Sequence, residues 1–346
     1  MIEVTTLTPG GQTALSIAEQ IAAFLVAAQR SLDLALYDVK LGDHEENLIA
    51  RALAEAGGRG VSIRFAYNVD HPGPIPVPPP PQNVPDLLES LPVAAKAIPG
   101  VPDLMHHKYA VRDADAVLTG STNWTEDSWT KQENVLARID SPGIAGAYTR
   151  DFEQLWASGV VAESGDVEPT AILVGDATVR AWFTPGRGTA LAHRIAHRIG
   201  RARHRVRVCS PVITSGPILG TLAQVASDRQ VDLAGVVDAT QVQEVIGQWR
   251  ENGNGAWKIP LLRAVLEHAD FSGKRSTPWR PDSVHDFMHA KVTVADDTVF
   301  LGSFNLSRSG EENAENVVEI EDAELADRLA AYIDEVRARY PAAELR

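Results

Sequence analysis

Two stretches of the 346-residue chain carry residue types that could handle an anion. The first is MHHKYAVRDADAVLTGSTNW, residues 105–124, and the second is MHAKVTVADDTVFLGSFNL, residues 288–306. Met105 aligns with Met288, His106 with His289 and Lys108 with Lys291, while Ala290 takes the place of His107. Asp113 and Asp296 follow their lysines at equal spacing. Gly120-Ser121-Thr122-Asn123 then matches Gly302-Ser303-Phe304-Asn305, with one residue fewer in the second copy. Beyond each asparagine comes a Glu-Asn pair, Glu133-Asn134 and Glu315-Asn316.

In an extended segment alternate side chains share a face. His106 and Lys108 are then neighbours, as are His289 and Lys291, and His107 and Ala290 point the other way. A turn through the aspartate and a returning strand bring serine and asparagine back beside the His-Lys pair. Each copy is half of an anion-handling site, offering an imidazole, an ammonium, a hydroxyl and an amide. Two halves around one centre suit phosphoryl transfer, which needs positive charge and donors at the non-bridging oxygens. It also needs a nucleophile and an acid for the leaving oxygen. Imidazole serves both near neutral pH when one ring is neutral and the other protonated. Glu133 and Glu315 are expected to accept from the far ring nitrogens and fix the tautomers. A metal site is disfavoured, because a lysine beside each histidine repels a cation and no carboxylate cluster accompanies them.

The elements that position these residues repeat too. TPGGQTAL starts at Thr8 and TPGRGTAL at Thr184. Each leads through a helical pattern, Ile17, Ile21, Leu25 or Ile195, Ile199, into an apolar strand at 31–39 or 205–213. Each strand is followed by a helix (46–56, 216–226) and a further strand (61–69, 231–239). This alternation predicts an α/β architecture built by duplication. Periodicity lapses in ASGVVAESGDVEPT, 157–170, which places one repeat at 1–165 and the other at 166–346. DHPGPIPVPPPPQNVPD, 70–86, is too proline-rich for a helix or central strand, and its counterpart contains RENGNGAW and GKRSTPWRPDS. Both segments precede a histidine stretch and read as gating loops or as tolerated surface insertions.

Composition sets the outer bounds. With 44% hydrophobic and 23% charged residues, the chain has ample core material for two domains. A net charge of −14 argues against non-specific nucleic-acid binding. The single cysteine, Cys209, excludes an internal disulfide and fits a reducing compartment. With no secretory signal pattern and no apolar run long enough to span a bilayer, a cytoplasmic enzyme reaching any membrane from the water side is expected.

The doubled His-x-Lys-x4-Asp and Gly-Ser-x-Asn pattern resembles the phospholipase D superfamily. His106, Lys108, Asp113, Gly120, Ser121 and Asn123 match its first motif, and His289, Lys291, Asp296, Gly302, Ser303 and Asn305 its second. The resemblance covers nearly the whole chain. It implies two similar α/β sandwich halves about a pseudo-twofold axis, one active site at their interface, a phosphohistidine intermediate and neither metal nor cofactor. It further implies His106 as nucleophile, His289 as general acid, and Lys108, Lys291, Asn123 and Asn305 as phosphate holders. The aspartates are then mainly structural.

The superfamily's substrates range from phospholipids to nucleic acids. Trp124, Trp129, Phe287 and Phe304 flank the motifs and would suit a lipid, or would simply be core. HRIAHRIGRARHRVRV, 193–208, could align Arg194, Arg198 and Arg201 along a nucleic-acid backbone, or be a solvated helix face. The favoured expectation is a metal-independent phospholipase D-type hydrolase making transient contact with a membrane surface. A DNA or RNA phosphodiesterase is the alternative, and an inactive scaffold ranks last because both motifs are intact.

Overall fold

The computed structural model describes residues 1–70, 86–89, 91, 93–278, 280 and 283–344. Most of the proline-rich segment read as a gate, residues 71–85, therefore lies outside the described residues.

The first sheet has seven strands, in the order Ile2–Leu7, Asn134–Asp140, Ala116–Gly120, Lys108–Arg112, Ser31–Leu36, Ser62–Val69 and Ala94–Pro99. The second repeats this order over Ala177–Phe183, Asn316–Glu321, Thr298–Gly302, Val292–Ala295, Arg205–Cys209, Asp232–Asp238 and Asp270–Lys274, with Ile172–Val174 added at one edge. In both sheets the crossovers through helices are parallel and the motif hairpin is antiparallel, as long and short connections respectively require. These are two α/β halves of matching topology, as the duplication predicts.

Local sequence explains the helices that cover the outer faces. Thr13 and Ser16 form a reciprocal cap at the start of Ala14–Val26, and Ile17, Ile21 and Leu25 recur on its buried side. Gly188–Arg201 buries Leu191, Ile195 and Ile199 in the same way. Two further helices, Pro142–Ser158 and Ala323–Ala338, supply Tyr148, Phe152, Leu329 and Ile333 to a core shared by residues of both sheets. The halves therefore meet through a continuous apolar interior, with a separate core beneath the outer helices of each.

Candidate active site

Each half-site is built on a motif hairpin. His106 and His289 sit just ahead of their strands, where isolated bridges Met105–Ala314 and Glu133–Met288 join each half to the other. The hairpin turns pass through Asp113 (φ +56°) and Asp296 (φ +48°), a left-handed conformation that aspartate tolerates better than most residues. Asp113 accepts from the backbone N–H groups of Gln29, Arg30 and Ser31. Asp296, and not its neighbour Asp297, accepts correspondingly from Arg203, His204 and Arg205. Burial would raise both carboxyls, but these donors hold them below the usual range. The aspartates tie the hairpins to the neighbouring strands and lie away from the cavity.

Gly120 and Gly302 end the returning strands. A Cβ at either would lie 2.1 Å from a backbone oxygen, that of Val135 or Asn316. Only glycine permits that approach. The serines that follow also work inside the fold: Ser121 Oγ donates to Asn134 Oδ1 at 2.7 Å, and Ser303 Oγ accepts from the Asn316 N–H at 3.0 Å.

One cavity collects His106, His289, Asn123 and Asn305 from the two halves. The amide Oδ1 atoms of Asn123 and Asn305 are buried without partners, so these side chains are uncommitted where the two half-sites meet. Lys108 Nζ donates to the His106 carbonyl at 2.7 Å, and Lys291 Nζ to the His289 carbonyl at 2.6 Å. Each ammonium is thereby fixed to the backbone of its own histidine. His107 leads away from the cavity, with Nε2 3.1 Å from the Asp151 carboxylate.

The two rings are held differently. His106 Nδ1 lies 2.8 Å from Glu315 Oε2. An ionised carboxylate only accepts, so Nδ1 carries the hydrogen and Nε2 is left with its lone pair. His289 Nδ1 lies 3.1 Å from Asn134 Oδ1. The amide orientation is set because Asn134 Nδ2 donates to Ser128 O and Gln132 Oε1. Nδ1 of His289 thus also carries a hydrogen, but toward a neutral group.

The expectation that Glu133 orients a histidine does not hold. Gly120 pairs with Leu136 and Gly302 with Val317, so the register makes Asn134, not Glu133, the counterpart of Glu315. A one-residue shift sends alternate side chains to opposite faces. Glu133 is instead buried against Lys274 Nζ at 2.8 Å and accepts from the Tyr340 hydroxyl.

Burial pulls the His106 imidazole down to about 4, helped by Lys108 and Lys291 and opposed by Glu315. His289 is also drawn well below the ordinary value by burial, then by Lys291, Lys108 and His106. Burial brings Lys108 to about 7 and Lys291 well below its usual range. A cavity that resists carrying its own positive charge gains most when an anion enters.

Several cavity residues carry no motif signal: Tyr37, Asp38, Gln132, Gln241 and His285. Tyr37 packs edge-on to His106 at 4.6 Å, and Phe287 packs edge-on to His289 at 5.0 Å. Tyr37 and Asp38 were recoverable in principle, since they follow a strand at its carboxyl end, where α/β sheets gather their sites. Of the flanking aromatics only Phe287 faces the cavity; Trp124, Trp129 and Phe304 are core.

Duplicated His-Lys half-sites closing on one cavity between duplicated α/β halves define a phospholipase D-type protein. The chain belongs to that superfamily, and the family model described as "Cardiolipin synthase, PLD-like domain" matches residues 21–156 and 195–337. It is similar to mitochondrial cardiolipin hydrolase of Xenopus tropicalis, 34% identical over 140 residues, covering 38% of this chain and 57% of that protein. The human protein of that name is 28% identical over 156 residues, covering 43% and 53%. The chain thus spans about half the length of the curated relatives it matches. In fold it resembles phosphatidylserine synthase from Haemophilus influenzae Rd KW20, with TM-score 0.64, 14% identity, and coverage of 98% of this chain and 86% of that one. Polyphosphate kinase from Porphyromonas gingivalis shares the fold at TM-score 0.61 and 12% identity, over 98% of this chain and 50% of its own.

Proposed function

We propose that the protein hydrolyses a phospholipid at its head-group phosphodiester, releasing phosphatidic acid and the head-group alcohol. The observation that carries this is the pairing of two imidazoles in one cavity with Nδ1 of each committed to an acceptor, leaving both Nε2 atoms for chemistry. His106 Nε2 attacks phosphorus while His289 Nε2–H protonates the departing alcohol. The resulting N-phosphorylated ring is cationic, and Glu315 on its Nδ1–H stabilises that charge. His289, now neutral, takes a proton from water as the water attacks phosphorus and releases His106. Lys108 and Lys291 supply the positive charge, with Asn123 and Asn305 as hydrogen-bonding partners of the phosphate, so no metal ion takes part.

A lipid is favoured over nucleic acid because four of the six arginines in the arginine-rich segment are already paired with carboxylates. Arg194 and Arg198 are paired with Glu319 and Glu321, Arg205 with Asp327, and Arg207 with Asp232 and Asp334. Of the three arginines that could share a helix face, only Arg201 is then left to meet a phosphate backbone. The names of the cardiolipin hydrolase relatives point the same way. Among the described residues no helix is long and apolar enough to cross a membrane. We place the enzyme in the cytoplasm, acting transiently at a membrane surface.

The test is an assay with EDTA present on phosphatidylcholine, phosphatidylethanolamine and cardiolipin vesicles, and on single- and double-stranded DNA. Head-group release without DNA cleavage is expected; cleavage of DNA alone would overturn the lipid assignment, and loss of activity in EDTA would overturn the metal-free mechanism.

A further inference from the structure

Asp38 poses a problem for a cavity that binds an anion. It lines that cavity with both histidines, and a carboxylate there repels a phosphate. Its Oδ1 is buried without a hydrogen-bond partner. Among the described residues no ion pair involves it. The nearer lysine is otherwise engaged: Lys108 Nζ donates to the His106 carbonyl and sits 4.8 Å over the Tyr37 ring. Burial raises the Asp38 carboxyl to about 6 despite the pull of Lys108 and Lys40, so those lysines compensate it incompletely.

Comparison of the halves shows that phosphate chemistry does not require this group. The bridges Val39–Trp124 and Ile213–Leu306 are equivalent, which places Val212 where the first half has Asp38. Histidine, lysine and asparagine are duplicated; this carboxylate is not. A free, buried acceptor beside an anion subsite fits a ligand carrying a donor cation a few bonds from its phosphate.

We propose that Asp38 is a head-group specificity residue that receives the ammonium of a phosphate ester of an amino alcohol, selecting zwitterionic head groups over anionic or neutral ones. This rests on the phosphodiester site described above and narrows its substrate class. The cation replaces water at Oδ1, and the ligand's own phosphate remains with the two half-sites.

Calorimetric titration of the full chain with O-phosphoethanolamine and with glycerol 3-phosphate tests this without requiring turnover. Wild type should bind the amino alcohol ester at least about tenfold more tightly. Asp38→Asn should reduce that preference to about twofold or less, and Asp38→Glu should keep most of it. If Asp38→Asn fails to fold, pH does the same job on wild type. The preference should fade between pH 7.5 and 5 as Asp38 takes up its proton, after correction for each ester's own separately measured phosphate titration. The other titratable groups around the carboxylate, Lys40, Lys108, Tyr37 and the cavity's His106, His285 and His289, act on both phosphates and largely cancel in the ratio. Equal binding of the two esters, no binding of either, or a preference that survives Asp38→Asn would overturn the assignment. Failure to cleave phospholipid would overturn the proposed reaction and leave this binding ratio to be judged separately.

Discussion

The two half-sites share a frame and differ in what holds each histidine. Both put a lysine on its own histidine's carbonyl, both fasten the hairpin with an aspartate in the left-handed region, and both need glycine where the strand returns. Yet His106 rests on a carboxylate, Glu315, and His289 on an amide, Asn134. Each support comes from the opposite half, so neither repeat is complete alone. Under the proposed mechanism the difference matters, because nucleophile and acid need different environments. A ring that becomes a phosphorylated cation gains from an anion behind it, whereas a ring that gives up its proton readily gains from a neutral partner.

The largest effect should separate the two histidines. His106→Asn and His289→Asn should each lower turnover by about 10⁴-fold or more. On a 4-nitrophenyl phosphodiester, whose leaving group needs no proton, His289→Asn should still release a burst of one nitrophenolate per enzyme and leave the remaining phosphoryl ester on His106. His106→Asn should give no burst. A burst in His106→Asn, with that phosphoryl ester on His289, would reverse the comparison.

Next comes the carboxylate. Glu315→Gln should lower kcat by roughly 10²–10⁴-fold, the scale seen when a histidine loses its orienting carboxylate. Glu133→Gln, at the position sequence alignment treats as equivalent, should cost less than about tenfold. Equal losses in steady-state assays would restore the symmetric pairing.

A third contrast concerns stability. Lys274 takes the place that Ile98 holds in the first half, since the strand pairings match Asn68–Ile98 with Asp238–Lys274. Lys274→Met leaves Glu133 buried without its cation and should destabilise the fold by about 3–5 kcal/mol in denaturant titration. The double change Glu133→Ala with Lys274→Ile should recover most of this, because apolar replacement of a buried pair is commonly neutral or stabilising. A double variant as unstable as Lys274→Met would mean the pair is not the source of the loss.

These contrasts mark where the sequence was legible. Spacing identified His106, Lys108, Asn123 and their second copies because chemistry and packing constrain residue type at each of those positions. The helix and strand periods revealed the duplicated α/β halves for the same reason. Glu133 misled because the Glu-Asn dipeptide recurs in sequence, whereas the sheet pairs one residue out of step; register is a property of neighbouring strands and leaves no trace in either repeat alone. Asp38 escaped notice because a lone aspartate after a strand is unremarkable until the cavity above it is known. Arg194 and Arg198 looked like part of a basic track, and their partners Glu319 and Glu321 lie more than a hundred residues away.

The smallest effect tests the amide directly through pH. In the proposed mechanism attack requires neutral His106, which with a value of about 4 is available above that pH. Lys108, at about 7, keeps its charge below neutrality and loses it above. His289 must carry a proton, and because burial and the lysines hold it well below 6.5, that proton is lost before the one on Lys108. The kcat/KM profile should therefore peak on the acid side of neutrality and fall as pH rises. Asn134→Asp would put an anion behind His289 Nδ1–H, favour its protonated form and move the falling limb upward by about one pH unit, a tenfold gain in proton affinity. The rising limb, set by His106 and Glu315, should stay within a few tenths of a unit. If the falling limb stays in place while the rising one moves, His289 is not the proton donor and the two rings exchange roles.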